Sequence, residues 1–423
     1  MYKRVRLILE DGEVVEGVLM PPTAYSDPNV YVVKLKSGYN VGISKSRVKK
    51  MEELGEVGRP QAAAAGEVKE VDTGKPWVSI LATGGTILSK VEYATGAVYP
   101  SMDPSLLFEL APGISKLASV RVEVAMAKFS EDMTPADWAL MTERAAEHLM
   151  RGSRGVVIMH GTDTMHYSAA ALAFALRRST GPVVFVGAQR SSDRPSSDAF
   201  QNIQGAVLAA VSAPFAESAV AMHKASSDGV VVLHRGTRVR KMHTSRRDAF
   251  QSIGTAPLAE VDVENGVLKI LREDYAPRGE GLSLSAAFSD KAALVKFYPG
   301  MDPRILDALM EMGVQGVVIE GTGFGHVAER LLPAVKRAVD AGIVVAVASQ
   351  TIFGRVNLYV YRRGRELLSL GVVPLEDMLP EVAYVKMSWA LANYKREEVP
   401  RILRTPLAGE ITARSEPDAF GSL

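Results

Sequence analysis

The chain has 423 residues and a formal net charge of +1, and its hydrophobic and charged contents are 47% and 23%. This composition is ordinary for a globular protein and excludes disorder, collagen or a coiled coil as the dominant state, while the length predicts two or three domains. The small net charge gives no reason to expect nucleic-acid binding through bulk charge. Because cysteine is absent, disulfides, thiolate metal sites and a cysteine nucleophile are excluded.

Two features of the sequence predict a cytoplasmic protein. Residues 1–4 lead directly into alternating polar and apolar positions, without the apolar stretch of a secretion signal. No apolar run approaches the roughly 18 residues that a membrane-spanning helix needs. Scarce asparagine and glutamine, together with abundant arginine and glutamate, favour a thermophilic source.

The first 54 residues predict a small antiparallel β-barrel. Short alternating stretches at 5–9, 14–19, 30–35 and 41–43 are separated by turn-forming residues such as Asp11-Gly12. They lie too close together for crossover helices, and a flat sheet of this size would bury its apolar face poorly. Residues 55–75 are rich in Gly, Ala, Pro and charge without apolar periodicity, and predict a linker; the alternative is a long surface loop of a single domain.

From residue 76 onward the pattern is α/β, because short buried strands alternate with helices. A large domain with a mostly parallel sheet is predicted over 76–275, with strands at 77–81, 120–127, 155–159, 182–186 and 230–233. Its helices are predicted at 134–150, from the 160–164 loop to 178, and at 197–211. A smaller α/β domain is predicted over 290–423, with strands at 293–297, 317–320 and 344–348 and helices at 303–312, 326–340 and 376–394.

Three loops at the carboxyl ends of predicted strands, 82–86, 160–164 and 187–194, are expected to face one crevice. Ligands in open α/β sheets bind at this edge. In the first loop, two glycines precede Thr86 and allow close backbone approach, so their N–H groups can form an oxyanion hole beside its hydroxyl. The alternative for this loop is a tight strand-to-loop turn.

The second loop adds a hydroxyl and a carboxylate, from Thr162 and Asp163. Taken alone, this pair fits helix capping at least as well as catalysis. His160 precedes it, but one histidine at a strand end indicates no role. A lysine from the basic segment 235–247, brought near a threonine hydroxyl, could act as a base if burial or neighbouring cations lowered its pKa.

Other chemistries find no support in the motifs. The chain has no P-loop and no complete dinucleotide fingerprint. It also lacks His-Glu-x-x-His and Gly-x-Ser-x-Gly, so neither a metal site nor a serine-hydrolase elbow is predicted.

Two motifs, Ala-Thr-Gly-Gly-Thr-Ile at 82–87 and His-Gly-Thr-Asp-Thr-Met at 160–165, resemble the asparaginase/glutaminase type of amidohydrolase. The resemblance covers roughly residues 76–423 and implies two α/β domains. It implies a threonine nucleophile that attacks a side-chain amide, releases ammonia and is regenerated by water. The implied catalytic residues are Thr86, Thr162, Asp163 and Lys241, the implied substrate-binding residues Tyr93, Ser130 and Glu131, and the implied oxyanion-binding backbone groups those of Gly85 and Gly161.

The extra N-terminal region and Lys-Met-His-Thr-Ser at 241–245 resemble the archaeal GatD family, which belongs to the glutamyl-tRNA(Gln) amidotransferases. This resemblance implies that the chain releases ammonia from glutamine or asparagine and itself holds no cofactor or metal. A GatE-like partner is implied to bind tRNA(Gln), ATP and Mg²⁺ and to convert Glu-tRNA(Gln) into Gln-tRNA(Gln). A homodimer of this chain within a heterotetramer, with no membrane partner, is also implied.

Two other functions stay open on the sequence alone. One is a free-standing L-asparaginase with a fused N-terminal barrel, and the other is an amino-acid sensor without turnover. Glu131 and His326 stand where bacterial-type asparaginases commonly have Gln and Asn, so the choice between glutamine and asparagine also stays open. So does the identity of the threonine that forms the acyl bond.

Overall fold

The structure is a computed structural model, and it describes residues 2–22, 26–36, 39–57, 66–85, 89–91, 98–100, 107–108, 111–192 and 196–415.

The N-terminal region forms a five-stranded antiparallel sheet. Its strands are β1 Tyr2–Leu9, β2 Val14–Leu19, β3 Val30–Lys34, β4 Asn40–Ser44 and β5 Val48–Val57. They pair as an open series, β4-β3-β2-β1-β5, among the described residues. Val5, Leu7 and Leu9 alternate along β1, which puts all three on one face, and they form the centre of a small separate core. The antiparallel architecture and the first four strands were predicted, whereas β5 was not.

Part of the predicted linker, 55–75, is a strand. Residues Val68–Val71 form β6 and pair antiparallel with residues 120–123 at the edge of the large sheet. The prediction of irregular chain is therefore wrong for 68–71. These four residues carry little apolar periodicity of their own, and their conformation depends on the backbone groups that the edge strand offers.

A nine-stranded sheet forms the large domain. Besides β6 it contains β7 Trp77–Gly84, β10 Ser119–Lys128, β11 Val156–Met159, β13 Val183–Val186, β14 Ser218–His223, β15 Val230–Arg235, β18 Ala259–Asp262 and β19 Val267–Ile270. Their order is β19-β18-β15-β14-β13-β11-β7-β10-β6. The five central strands are parallel to one another, as predicted, and they are β14, β13, β11, β7 and β10. The outer strands are antiparallel, because short connections such as 224–229 return the chain directly to a neighbouring strand.

Within the described residues, this domain also contains three two-stranded ribbons and three helices whose bounds are known. The ribbons are β8 Ser89–Val91 with β9 Val98–Pro100, β12 Leu176–Arg177 with β20 Ser283–Leu284, and β16 Val239–Lys241 with β17 Phe250–Ser252. The helices are α1 Pro135–Met150, α2 Met165–Ala175 and α3 Ala199–Ser212. The start of α1 follows the predicted capping pattern, since the Thr134 backbone N–H donates to Asp137 Oδ2 at 2.8 Å. Helix α2 ends before the predicted residue 178 because 176–177 pair with 283–284 instead.

The smaller domain has four parallel strands in the order β21-β22-β23-β24. They are β21 Ala292–Lys296, β22 Gly316–Gly321, β23 Val344–Ser349 and β24 Val373–Pro374, and the helices are α4 Arg304–Glu311, α5 Leu332–Asp340, α6 Arg362–Ser369, α7 Pro380–Asn393 and α8 Val399–Arg404. Helix α5 begins six residues after the predicted start at 326, because 322–331 form a bridge between Thr322 and His326 and then a 3₁₀ turn at Glu329–Leu331.

The two α/β domains share one hydrophobic core. Leu172 and Phe174 of α2 belong to the same buried cluster as Val318 and Trp389 of the smaller domain. The rings of Phe174 and Trp389 stack with their centroids 6.0 Å apart. Helix α7 is therefore packed directly against α2, the helix that follows the second predicted loop. Within the described residues, no helix has the length and apolar character needed to cross a membrane.

Candidate active site

The candidate site lies between the carboxyl ends of β7 and β11, which are parallel neighbours in the sheet. The chain leaves β7 toward β10 on one side and leaves β11 toward β13 on the other side. Neighbouring strands whose connections diverge in this way define a topological switch point, where α/β proteins bind their ligands. Residues 83–85 and 160–164, which the sequence singled out, occupy this position.

Lys241 contacts Thr162 of the second loop, although the two residues are 79 positions apart in the sequence. Its Nζ donates to the Thr162 hydroxyl at 2.8 Å and to Asp163 Oδ1 at 2.7 Å. The side chain of Lys241 is 10% exposed and that of Asp163 is 68% exposed, so the lysine is enclosed while the carboxylate borders solvent. This geometry allows a proton to pass between the Thr162 hydroxyl and the lysine amine.

The helix-capping alternative for Thr162 and Asp163 does not describe this site. The residue that precedes α2 is Thr164, and its hydroxyl donates to the Ser130 carbonyl oxygen at 2.5 Å. Thr162 and Asp163 directly precede Thr164 in the sequence, and both accept hydrogen bonds from Lys241. The loop thus separates a residue that fixes the backbone from two that present functional groups.

Gly85 and Gly161 bring the two loops into backbone contact. Gly85 has a φ of +86°, and a Cβ added to it would lie 2.5 Å from the Gly161 nitrogen. A Cβ on Gly161 would in turn lie 2.8 Å from Ser130 Cβ. Only glycine therefore fits at both positions, and a role of their backbone N–H groups in binding an oxyanion stays a prediction.

Ser130 and Glu131 occupy a 3₁₀ turn, Ser130–Asp132, beside these loops. Ser130 is 2% exposed and packs against Gly161, whereas Glu131 is exposed. Their side chains are 3.5 Å apart. Thr86 and Tyr93, predicted as nucleophile and lid residue, lie outside the described residues.

His160 is a structural residue of the second loop. Its Nδ1 lies 2.7 Å from the Gly161 carbonyl oxygen and its Nε2 2.9 Å from the Ser168 hydroxyl. Burial lowers the pKa of His160 to about 4, so the imidazole is neutral near pH 7. A neutral ring can donate through Nδ1 and accept through Nε2, which satisfies both contacts. His160 therefore holds the backbone next to Thr162.

The third loop reaches the site through Gly187, where an added Cβ would meet Thr162 Cγ2 at 2.7 Å. Asp198 holds this loop by accepting the backbone N–H groups of Gln189 and Arg190, each at 3.0 Å. Sequence inspection did not single out Asp198, although an aspartate directly before an Ala-rich helix is a usable signal. Positions 193–195 of the loop lie outside the described residues.

Sequence inspection also gave no indication of the ion pair that forms next to Lys241. Arg240 donates to Glu381 Oε2 at 3.4 Å, and Glu381 belongs to α7 of the smaller domain. Only the three-dimensional packing brings residues 240 and 381 together. The described residues contain no cluster of three or more His, Asp or Glu side chains that could hold a metal ion.

Known families cover most of the chain. Residues 77–275 match the family described as "Asparaginase, N-terminal", and residues 291–403 match "Glutaminase/Asparaginase C-terminal domain". A solved thermostable L-asparaginase from Thermococcus kodakarensis shares 30% identity and a TM-score of 0.70, covering 80% of this chain and 100% of its own. For L-asparaginase I from Vibrio cholerae the values are 27% and 0.67, covering 80% of this chain and 99% of its own. Fold and motifs thus define an asparaginase-type amidohydrolase, as predicted.

The N-terminal region indicates which family of asparaginase-type amidohydrolases the chain belongs to. Residues 2–54 match the family described as "GatD N-terminal domain". The GatD component of the glutamyl-tRNA(Gln) amidotransferase of Pyrobaculum aerophilum is 60% identical, covering 100% of both chains. The corresponding protein of Thermofilum pendens is 51% identical, covering 99% of this chain and 94% of its own. The chain belongs to the GatD family of glutamyl-tRNA(Gln) amidotransferases. Its relatives include proteins of thermophilic archaea, in agreement with the composition.

Proposed function

We propose that this chain releases ammonia from glutamine, or from asparagine, for transfer by a partner protein to activated Glu-tRNA(Gln). The observation that carries the proposal is the contact of Lys241 with the Thr162 hydroxyl, at 2.8 Å, in an asparaginase-type crevice. The relatives over the full length of the chain are named as components of an amidotransferase, which supports a use of ammonia beyond simple hydrolysis.

In the proposed reaction a threonine hydroxyl, that of Thr86 by family resemblance, attacks the side-chain amide carbonyl carbon. The hydroxyl proton is transferred toward the leaving nitrogen, the carbon–nitrogen bond breaks, and ammonia leaves while an acyl ester remains. Water then attacks the ester, which regenerates the threonine and yields glutamate or aspartate. Lys241 and Asp163 position the Thr162 hydroxyl for proton transfer, and the backbone N–H groups of Gly85 and Gly161 bind the oxyanion.

The substrate is held, in this proposal, by Tyr93, Ser130 and Glu131. A free amino acid carries an ammonium and a carboxylate next to its side chain, so a hydroxyl and a carboxylate at the crevice can bind its charged end. The exposed Glu131 side chain is suited to the ammonium group. This chain needs no cofactor for the amide step.

A GatE-like partner, with bound ATP and Mg²⁺, activates the glutamyl group on tRNA(Gln) in the proposed cycle. The assembly is a heterotetramer built on a homodimer of this chain, in the cytoplasm. Recognition of tRNA is assigned mainly to the partner, because the net charge of this chain is only +1.

The second candidate function is a free-standing L-asparaginase. It is supported by the two solved L-asparaginases, each of which aligns with 80% of this chain. It predicts asparagine hydrolysis at full rate without any partner.

The reaction is tested by Thr86→Val, Thr162→Val and Lys241→Met in the full-length chain. Because Val and Met keep the side-chain size but remove the hydroxyl or amine, each variant is expected to lose about a hundredfold or more in ammonia release while remaining folded. Lys336→Met is the control, since this exposed lysine forms a surface ion pair with Asp340. The rates should be measured with both amides and compared with thermal unfolding, and wild-type rates in the threonine variants would refute the mechanism. Losses in single variants are not additive, because the groups act together.

A further inference from the structure

Glu381 is a buried carboxyl group at the start of α7 that the proposed reaction does not use. Its side chain is 3% exposed. Removing a carboxylate from water is costly unless the group is paired, so a buried Glu in this position calls for a physical reason.

The carboxyl group lies beside β16, which carries Lys241, and beside α2, which follows the loop with Thr162 and Asp163. Oε2 accepts from Arg240 Nη1 at 3.4 Å, and Arg240 directly precedes Lys241 in β16. Oε1 lies 4.0 Å from His166 Nε2, and His166 lies in the first turn of α2, four residues after Thr162. Oε1 has no hydrogen-bond partner within the described part of the chain.

The surrounding charges leave Arg240 as the cation that pairs with this carboxyl. Burial lowers the pKa of His166 to about 3, so its ring is neutral near pH 7. Burial raises the pKa of Glu381, and the Arg240 guanidinium opposes that rise. Arg240 is itself 31% exposed, so its guanidinium keeps contact with water when the carboxyl is removed.

We propose that Glu381 is a positioning residue for Lys241, acting through Arg240 across the interface between the two α/β domains. By accepting from Arg240 it fixes the end of β16, which keeps Nζ of Lys241 within hydrogen-bond distance of Thr162 and Asp163. The smaller domain thereby takes part in the amide chemistry of the large domain. This role rests on the proposed function and deepens it.

Contacts other than those of Glu381 attach helix α7 to its surroundings. Lys386 and Glu410 form an ion pair in which both side chains are 0% exposed. The Trp389 indole N–H donates to the Ser285 carbonyl oxygen at 2.9 Å, and the Ser388 hydroxyl donates to the Ser289 carbonyl oxygen at 2.7 Å. An apolar side chain at 381 would pack here without the desolvation of a carboxyl group, which favours a positioning role over a purely structural one.

The test compares Glu381→Met with Glu381→Gln in the full-length chain together with its GatE-like partner. Methionine removes both charge and acceptor, whereas glutamine keeps an oxygen that can accept from Arg240. We expect Glu381→Met to lower kcat for glutamine about tenfold or more and Glu381→Gln to lower it less, with KM changed less than about twofold in both. Thermal stability should stay level or rise.

Glu410→Gln is the matched control, because it removes the charge of another buried glutamate, which pairs with Lys386 of the same helix α7. It should lower the melting temperature and leave kcat and KM unchanged. A loss of kcat at unchanged or raised stability in Glu381→Met, and a loss of stability at unchanged kcat in Glu410→Gln, would distinguish a positioning role from a contribution to packing.

Arg240→Met supplies the coupling measurement. If Glu381 acts through Arg240, the double variant Glu381→Met/Arg240→Met should be no slower than Arg240→Met alone. A wild-type kcat in Glu381→Met, or losses that multiply in the double variant, would overturn the role of Glu381 alone. Absence of ammonia release by the wild-type chain with its partner and Glu-tRNA would overturn the proposed function, and this role with it.

Discussion

Lys241 has two different acceptors within 2.8 Å, a buried hydroxyl and a solvent-bordering carboxylate. A charge-assisted contact to Asp163 fixes the direction of the amine, and the hydroxyl of Thr162 then lies where a proton can be exchanged. His160 and Thr164 hold the backbone on either side of these groups. At the residue scale, Thr162 and Asp163, which contact Lys241, thus lie between two residues that anchor the backbone.

Gly85 allows a prediction about backbone contact. Gly85→Ala is expected to push the first loop away from Gly161, because the added Cβ would lie 2.5 Å from its nitrogen. Ammonia release should fall by at least about tenfold as the oxyanion-binding groups separate. Gly74→Ala is the control, since Gly74 also has a positive φ, +73°, but no atom lies within 4 Å of its added Cβ. Equal kinetics in the two variants would contradict this account of the crevice.

At the scale of elements, the site depends on how strands, helices and the connecting segment are held together. The segment after β19 leads the chain into the smaller domain, and hydrogen bonds and ion pairs hold the first residues of this segment in place. Asp274 accepts from Arg272 at 2.7 and 2.8 Å, and the backbone N–H of Ala276 donates to Glu217 at 2.7 Å. These contacts fix the position of the chain where it leads into the smaller domain, which carries Glu381.

Asp274 gives a prediction about pH. The hydrogen bonds from Arg272 lower the pKa of Asp274 from 3.8 to about 2. A lowered pKa in the folded state means that the carboxylate adds stability above pH 3.8 and that this contribution disappears as pH falls toward 2. Asp274→Asn should therefore lower the melting temperature at pH 7, and the gap to the wild type should close as the pH approaches 2.

The control for this prediction is Asp290→Asn, because the Asp290 side chain is 76% exposed and lies 3.7 Å from Lys291. It should leave the melting temperature nearly unchanged at both pH values. A gap between wild type and Asp274→Asn that persists at pH 2 would show that charge is not the cause.

The elements that the sequence predicts best are those with strong local patterns. The capped start of α1 and the apolar strands β7, β11 and β13 follow from residues 77–81, 134–137, 156–159 and 183–186 alone. Strand β6 and helix α6 do not, because each is short and has few apolar residues, so that its conformation depends on the neighbouring structure.

The residues of the candidate site also differ in whether a local sequence pattern predicts them. Thr162, Asp163 and Lys241 carry recognisable motifs, and the structure brings their side chains together. Glu381 carries no motif, and its proximity to Arg240 arises from the packing of α7 on α2. Contacts between distant segments of this kind cannot be derived from local patterns.

At the scale of the whole molecule, the N-terminal sheet is a separate packing unit. Its core of Val5, Leu7, Leu9, Val33 and Ile43 is distinct from the larger cores. Strand β6, by contrast, is hydrogen bonded to the large sheet although it precedes it in sequence. The chain therefore changes from one packing unit to the other between β5 and β6.

This boundary predicts different outcomes for two deletions. Removal of residues 1–65 should leave the melting temperature of the amidohydrolase part and its intrinsic ammonia release largely unchanged. Removal of residues 1–72 should lower the melting temperature and promote aggregation, because it exposes the edge of β10. Equal behaviour of the two truncated chains, measured by thermal unfolding and light scattering, would contradict the assignment of β6 to the large sheet.

The most direct test of the proposed function is a coupled assay with the full-length chain, a GatE-like partner, Glu-tRNA(Gln), ATP, Mg²⁺ and glutamine labelled with ¹⁵N at its amide. The proposed function predicts that labelled Gln-tRNA(Gln) forms, that Thr162→Val and Lys241→Met abolish it, and that free ammonium restores it in both variants. Ammonia release that is rapid without partner and tRNA, together with no labelled Gln-tRNA(Gln) in the complete mixture, would contradict the proposal and favour a free-standing asparaginase.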